Sequence, residues 1–183
     1  SILLSLLGLS TLCLGKDPLA PFLNAPALET QRLFKDQRYP NVVVTIQGTV
    51  LAVWGNDGVV VRRSQDGGKT WGSAISVSKK GYHGGGTTVD TTSGDILIFV
   101  EDRQPPAPLK IYRSQDDGKS WQIQKTKIEK DHNGNTPSMH MNEHGITLRH
   151  GRYRGRLIRP SRYYGPKGGD CLLYTSPSPR DLH

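Results

Sequence analysis

Ser64-Gln65-Asp66-Gly67-Gly68-Lys69-Thr70-Trp71 returns, 50 residues further on, as Ser114-Gln115-Asp116-Asp117-Gly118-Lys119-Ser120-Trp121. Both copies read Ser-Gln-Asp-x-Gly-Lys-(Thr/Ser)-Trp, and each follows a short apolar run ending in Arg. A period of this size is that of one repeat unit in a propeller or a similar array. The residue types are those of a tight turn. Gly supplies a positive φ, the Asp carboxylate accepts backbone N–H groups, the hydroxyls add local bonds, and the Trp ring covers its own sheet. Ser64, Asp66, Gly68 and Trp71, with Ser114, Asp116, Gly118 and Trp121, are therefore read as structural, and the two Asp as scaffold rather than catalytic acids. An EF-hand-like calcium loop is disfavoured, because the spaced carboxylates and terminal Glu are missing.

Working outward, β-branched runs bounded by Gly and Asn/Asp turns predict strands at Val42–Thr45, Val50–Trp54, Val59–Arg63 and Ile75–Ser78. A second unit repeats the arrangement at Thr87–Val89, Ile96–Val100, Lys110–Arg113 and Trp121–Gln124, with a proline-rich connector at 105–108. A third begins at Ile146–Leu148 and Arg156–Arg159. Four-stranded antiparallel meanders at this spacing predict an all-β fold of propeller blades. A two-sheet sandwich is the competing architecture, and the recurrence of one motif at one place in each unit favours the propeller.

The two ends read differently from this body. Residues 1–15 are rich in Leu and lack an initiator Met, the pattern of a clipped signal peptide, too short to span a bilayer. A buried core helix is the bland alternative. Cleavage near Gly15 or Ala20 predicts a secreted or periplasmic protein with no membrane insertion afterwards, and Ser10-Thr11-Leu12 before Cys13 does not resemble a lipobox. Residues 16–37 read as a leader packing over the first unit. Residues 171–183 resemble a translated sequencing adaptor, which leaves 38–170 as the natural body. Both cysteines, Cys13 and Cys171, then fall outside that body, and neither a disulfide nor a cysteine metal site is expected in it.

The chain has 183 residues, 21 Gly, 12 Pro and a formal net charge of +8. Turn-rich composition agrees with β structure. The basic charge suits an anionic partner, yet Lys and Arg are scattered, and the local run Arg149, Arg152, Arg154, Arg156, Arg159 and Arg162 reads as a solvated face; no nucleic-acid partner is expected. Two motifs of other classes are weak. His140, Glu143 and His144 have the Glu in the wrong place for a His-Glu-x-x-His zinc helix, so no metal is expected. His83 with Gly84-Gly85-Gly86 lacks the Lys-Ser/Thr and helix of a phosphate loop. No cofactor is implied.

The twin motif resembles the Asp box of sialidases (neuraminidases) and their bacterial neuraminidase repeat relatives. Arg38-Tyr39-Pro40 is similar to the Arg-Ile-Pro element of that family. Gly145-Ile146-Thr147-Leu148 and Gly155-Arg156-Leu157-Ile158-Arg159-Pro160 resemble its Gly-Ile-x-Leu and Gly-Arg-Leu-x-x-Pro third-blade pattern, so the resemblance covers roughly 38–164. It implies a six-bladed propeller, of which about two blades and the start of a third are present. It also implies an exo-α-sialidase acting on sialylated glycoconjugates, with three arginines on the substrate carboxylate, a Tyr–Glu nucleophile pair and an Asp acid/base. A phenol nucleophile avoids the repulsion that a carboxylate would meet beside an anomeric carboxylate.

By position Arg38 matches the first clamp arginine. Asp57 is the carboxylate in the loop where the acid/base belongs, and an Asn-Asp-Gly hairpin turn explains it equally well. Glu101-Asp102-Arg103 ends a strand before a long connector and offers a shifted proton donor, with a solvated charged turn as its bland reading; Asp102 and Arg103 are further substrate-binding candidates, as are His140 and Glu143 before the third unit. The nucleophile, its Glu partner and the other arginines would lie in later blades, so a chain of this extent is expected to be inactive and poorly soluble alone. A non-catalytic Asp-box propeller binding glycans or proteins, or a hydrolase for another acidic sugar, remain the alternatives.

Overall fold

A computed structural model of the protein describes residues 30–35, 39–83, 85–104, 107–138, 144–164 and 171–176. The chain divides into two compact units, Ser1–Arg32 and Leu33–His183, and every strand among the described residues belongs to the second. No described residue is helical; the fold is all-β.

The first sheet is a four-stranded meander of β1 (Asn41–Val44), β2 (Val50–Trp54), β3 (Val59–Ser64) and β4 (Ile75–Ser78), every pair antiparallel. The second contains β5 (Tyr82–His83), β6 (Thr88–Val89), β7 (Ile96–Glu101), β8 (Leu109–Ser114) and β9 (Gln122–Ile123). Here β5 and β6 both pair with β7, so they are two pieces of one interrupted first strand. The third repeats the interruption: β10 (Thr136–Ser138) and β11 (Ile146–Thr147) both pair with β12 (Leu157–Tyr164), which pairs with β13 (Cys171–Ser176).

Three such sheets in chain order, with first strands side by side, are blades of a β-propeller. Both repeated motifs lie in the turn from third to fourth strand, as their spacing predicts. Beyond the predicted strands the structure adds β5, β10 and β13. It also corrects the end of β12, which runs through Pro160 to Tyr164 rather than stopping at Arg159. Pro160 is tolerated because residues 159–161 face the gap between β10 and β11, where the ladder on that side is already open.

Strand alternation builds the core between blades. In β7, Ile96, Ile98 and Val100 face Leu51, Val53, Val59 and Val61 of blade 1. The intervening Leu97 and Phe99 face Leu157 of blade 3, with Ile111 beside them. All six residues of β7 are buried, so this strand has two dry faces. Each such aliphatic side chain contributes about 1.5–3 kcal/mol by leaving water. The alternation puts Glu101 on the blade 3 side of β7. At the blade 1 margin, Phe34 stacks on Trp54.

The register also sorts the loops to two ends. Asn41 pairs with Val53 and Tyr82 with Glu101, so the approach to β1, the 55–58 turn and the 102–108 connector share one end. Both repeated motifs and the turns at 45–49, 90–95 and 148–156 share the other.

Candidate functional site

The repeated motifs are closed turns with one bonding scheme. In the first, Ser64 Oγ donates to Asp66 Oδ1 (2.7 Å) and accepts from Gly68 N–H (2.8 Å). Asp66 accepts from Thr70 N–H (2.9 Å) and Thr70 Oγ1 (2.5 Å), and Trp71 Nε1 donates to the Gly68 carbonyl (3.0 Å). The second repeats every bond at 2.8, 2.8, 2.9, 2.6 and 3.2 Å. The Thr70 hydroxyl and N–H, then Ser64, hold Asp66 well below the usual carboxylate range. Burial alone would raise Asp116, but the bonds from Ser120 and Ser114 outweigh it and hold that carboxyl at about 2. Both carboxylates are committed to the turn. The Trp rings are half-buried rather than covered, and of the two it is Trp121 that joins the core between blades 1 and 2.

The opposite end collects buried polar groups from successive blades. His83 is 1% exposed, and its Nδ1–H donates to the Tyr39 carbonyl at 3.0 Å, which fixes the tautomer. Burial, countered by that bond and assisted by the charge of Arg159, pushes His83 down to about 4, so it is neutral at physiological pH. Tyr39 itself has a left-handed φ of 59°. The His83 N–H donates to the Gly55 carbonyl (3.0 Å) and the Gly58 N–H to the Gly81 carbonyl (3.0 Å), which seats the Asp57 turn against blade 2. Gly55 has φ 148°, and a Cβ there would fall 1.9 Å from the Gly58 carbonyl oxygen. Only glycine closes this turn.

Glu101, fully buried, accepts from Ser138 Oγ at 2.5 Å. Arg159, 5% exposed, lies 4.2 Å over the Phe99 ring and donates to the Gly86 carbonyl and to Thr88 Oγ1 (3.1 Å). Burial lowers the guanidinium to about 9 while the Glu101 charge pushes it up, so it is a cation at neutral pH. Thr88 Oγ1 also accepts from Gly145 N–H (3.1 Å), and a Cβ on Gly145 would meet that oxygen at 2.8 Å. Blades 2 and 3 can approach this closely only at a glycine.

The predicted site residues fare unequally. Asp57 is exposed at the tip of its turn, at the same end as Tyr39. Asp102 is engaged by Lys110 Nζ at 2.5 Å, a bond that raises the lysine, and Arg103 is exposed beside it. Arg38, His140 and Glu143 lie outside the described residues. Arg159 corrects the reading of its run as a solvated face: strand parity turns it inward onto Phe99. Sequence reasoning passed over Ser138 and Arg159 as site residues, set His83 aside with a weak phosphate-loop pattern, and named Glu101 only together with Asp102 and Arg103 as an alternative proton donor. The signal for Glu101 was a charged residue closing the otherwise apolar β7.

The first strands of the blades, β1, β6 and β11, line a cleft of about 600 Å³ whose walls include Val42, Val44, Val89 and Ile146. Val42 and Val44 are 60% and 59% exposed toward it. Among the described residues no cluster of His, Cys, Asp or Glu is arranged to hold a metal.

The fold is thus that of the β-propellers, and known glycoside hydrolases share it. No protein-family profile matches the chain. An intramolecular trans-sialidase from Ruminococcus gnavus aligns with a TM-score of 0.51 at 12% identity, over 78% of this chain and 60% of that one. A protein of unknown function from Dyadobacter fermentans aligns at 0.54 and 18% identity, over 83% and 50%. An α-L-arabinofuranosidase from Fusarium graminearum aligns at 0.50 and 14%, over 78% and 45%. The chain spans about half the length of the solved structures it matches.

Proposed function

We propose that the complete protein is an exported propeller glycosidase that removes terminal sialic acid from glycoconjugates, with retention, Arg38 binding the substrate carboxylate and Asp57 serving as acid/base. One observation carries this reading: the approach to β1 and the 55–58 turn come together at one end of blade 1, both tied to His83 or its neighbour Gly81. A carboxylate-binding arginine one residue before Tyr39 and a proton donor at residue 57 would then serve the same bound sugar. An arginine suits the role because its planar fork matches a carboxylate with two parallel bonds. Asp57, exposed and without a side-chain partner among the described residues, is available to protonate a leaving oxygen and later to activate water. The nucleophile would come from blades beyond those described.

The test is release of methylumbelliferone from its α-sialoside and from an α-L-arabinofuranoside by the complete protein. Sialoside cleavage that falls at least about a hundredfold in both Arg38→Ala and Asp57→Asn supports the reading. Cleavage of the arabinofuranoside alone would keep a glycosidase and remove sialic acid as substrate. Sialyllactose binding without any cleavage would favour the non-catalytic propeller.

A further inference from the structure

We propose that the cleft between blades 2 and 3, at the end carrying the Asp boxes, binds an acidic polysaccharide whose sugars bear carboxylate or sulfate groups. The β11–β12 hairpin is a closed turn there: Leu148 N–H donates to the Arg156 carbonyl (2.8 Å) and Gly155 N–H to the Leu148 carbonyl (2.8 Å). It presents Arg149, His150, Arg152, Arg154 and Arg156, and no Asp or Glu occurs from His144 to Tyr164. Arg149 and Arg154 are exposed, and neither side chain has an ion-pair partner among the described residues.

Both arginines line an open cleft of about 790 Å³, whose far wall is Thr91 and Thr92 of the β6–β7 turn. That wall is fixed, since Thr91 N–H donates to Thr147 Oγ1 at 3.0 Å. The adjacent carboxylate, Asp90, is turned away: it is 2% exposed and accepts from Thr92 N–H (2.9 Å) and Ser93 Oγ (2.8 Å). Beside Leu148 and Gly155, the side chains that line the cleft carry guanidinium and hydroxyl groups. That set fits a ligand that is both anionic and rich in hydroxyls.

The hairpin argues against nucleic acid. Single strands bind by stacking bases on aromatic faces. Tyr153, 47% exposed, has the Arg156 guanidinium 4.0 Å from its ring centre and Arg152 at 5.4 Å. Its π face is already held by these cations. The cleft lies at the opposite blade end from Asp57, and its occupation requires nothing of the proposed hydrolase.

The experiment measures binding of the full chain to fluorescein-labelled polysialic acid and dextran sulfate, with neutral dextran, a short single-stranded oligonucleotide and phosphatidylserine vesicles as competitors. We expect one or both acidic polymers to bind, their ranking separating carboxylate from sulfate, and neutral dextran not to. Arg149→Gln/Arg154→Gln should weaken binding roughly tenfold or more, and Arg149→Lys/Arg154→Lys about threefold, because lysine keeps the charge and loses the fork. Lys125→Gln/Lys130→Gln removes the same charge at exposed positions elsewhere and should change affinity less than about twofold. An equal loss in that control, equal or stronger competition by the oligonucleotide or the vesicles, or no binding of either acidic polymer overturns the proposal.

Discussion

Tyr39 and Asp117 are the two non-glycine residues with left-handed backbone among those described, at φ 59° and 62°. Each joins blade 1 to blade 2, at opposite ends of the blades. At the box end, Asp117 is the variable residue of the second motif and reaches back to the preceding blade. Its carboxylate accepts from Thr45 Oγ1 (2.5 Å), Thr49 Oγ1 (2.6 Å) and the Arg63 guanidinium (2.7 Å), and its carbonyl accepts from Arg63 Nε (2.8 Å). At the other end, the neutral carbonyl of Tyr39 accepts from a buried neutral imidazole. A left-handed non-glycine residue costs on the order of 1 kcal/mol, so both must be over-determined by neighbours. The box-end clasp is charged and half-wet. The other is neutral and dry, next to the residues proposed for chemistry.

The largest expected effect concerns the dry clasp. His83 has a folded pKa of about 4 against an ordinary 6.5. On acidification the unfolded chain takes up this proton first, so stability is complete above pH 6.5, falls as the pH drops, and stops falling below about 4. The shift corresponds to roughly 3 kcal/mol. Urea denaturation across that range should show the loss, and His83→Gln should flatten it; an unchanged slope in the variant would exclude His83 as its source. The box carboxylates do not overlap this window. The stabilisation from Asp116 persists down to its ordinary value of 3.8 and fades only toward about 2.

Next comes the charged clasp. Burial alone would raise Asp117, but Thr45, Thr49 and Arg63 together hold it below the usual range. Its contribution is therefore present above pH 4 and lost below. Asp117→Gly converts the second motif to the first motif's residue, relieves the left-handed strain and strands Arg63, which is 14% exposed. A net loss of roughly 2 kcal/mol in the chemical denaturation midpoint is expected, and a neutral result would mean that the motif is held by its internal bonds alone.

Within the motifs the comparison should vanish. Ser64→Ala and Ser114→Ala each remove a hydroxyl 1% exposed that bonds an Asp and a Gly N–H, and should cost about 1–1.5 kcal/mol apiece. Unequal losses beyond experimental error would show that the turns depend on their seating. The smallest effect belongs to Gly67→Asp, the reverse exchange. With φ 72° and nothing within 4 Å of a new Cβ, the aspartate meets no partner, and the change should stay under about 1 kcal/mol.

Much of the fold was legible because its signals are local. Turn chemistry and period-two runs identified β2, β3, β4, β7 and β8 to within a residue or so at either end, and motif spacing set the blade period. The short β5 and β10 were missed because Tyr82–His83 and Thr136–Ser138 form no β-branched or apolar run, and their pairing comes from β7 and β12. Trp71 and Trp121 illustrate the same limit: equivalent in sequence and both half-buried, they differ in that Trp121 packs against the core between blades 1 and 2, because only the second motif has a preceding blade among the described residues to meet.

The site was legible in a narrower sense. Sequence and family resemblance identified Asp57 and Arg38 as residues of interest, and it is the tertiary contacts of Tyr39 and Gly55 with His83 that associate their two segments. His83, Glu101 and Arg159 each have an unremarkable local setting: a glycine-flanked histidine, an acidic strand end, one arginine among six. Their burial follows from parity along strands closed in by a neighbouring blade, an interaction between residues up to 73 apart. By itself the sequence determined the repeated turn, the blade and the basic composition, since those rest on residues within hydrogen-bonding reach along the chain. Which charges are dry, which carboxylate clasps two blades and which arginines face water was decided only when blades packed, because desolvation is a property of neighbours in space.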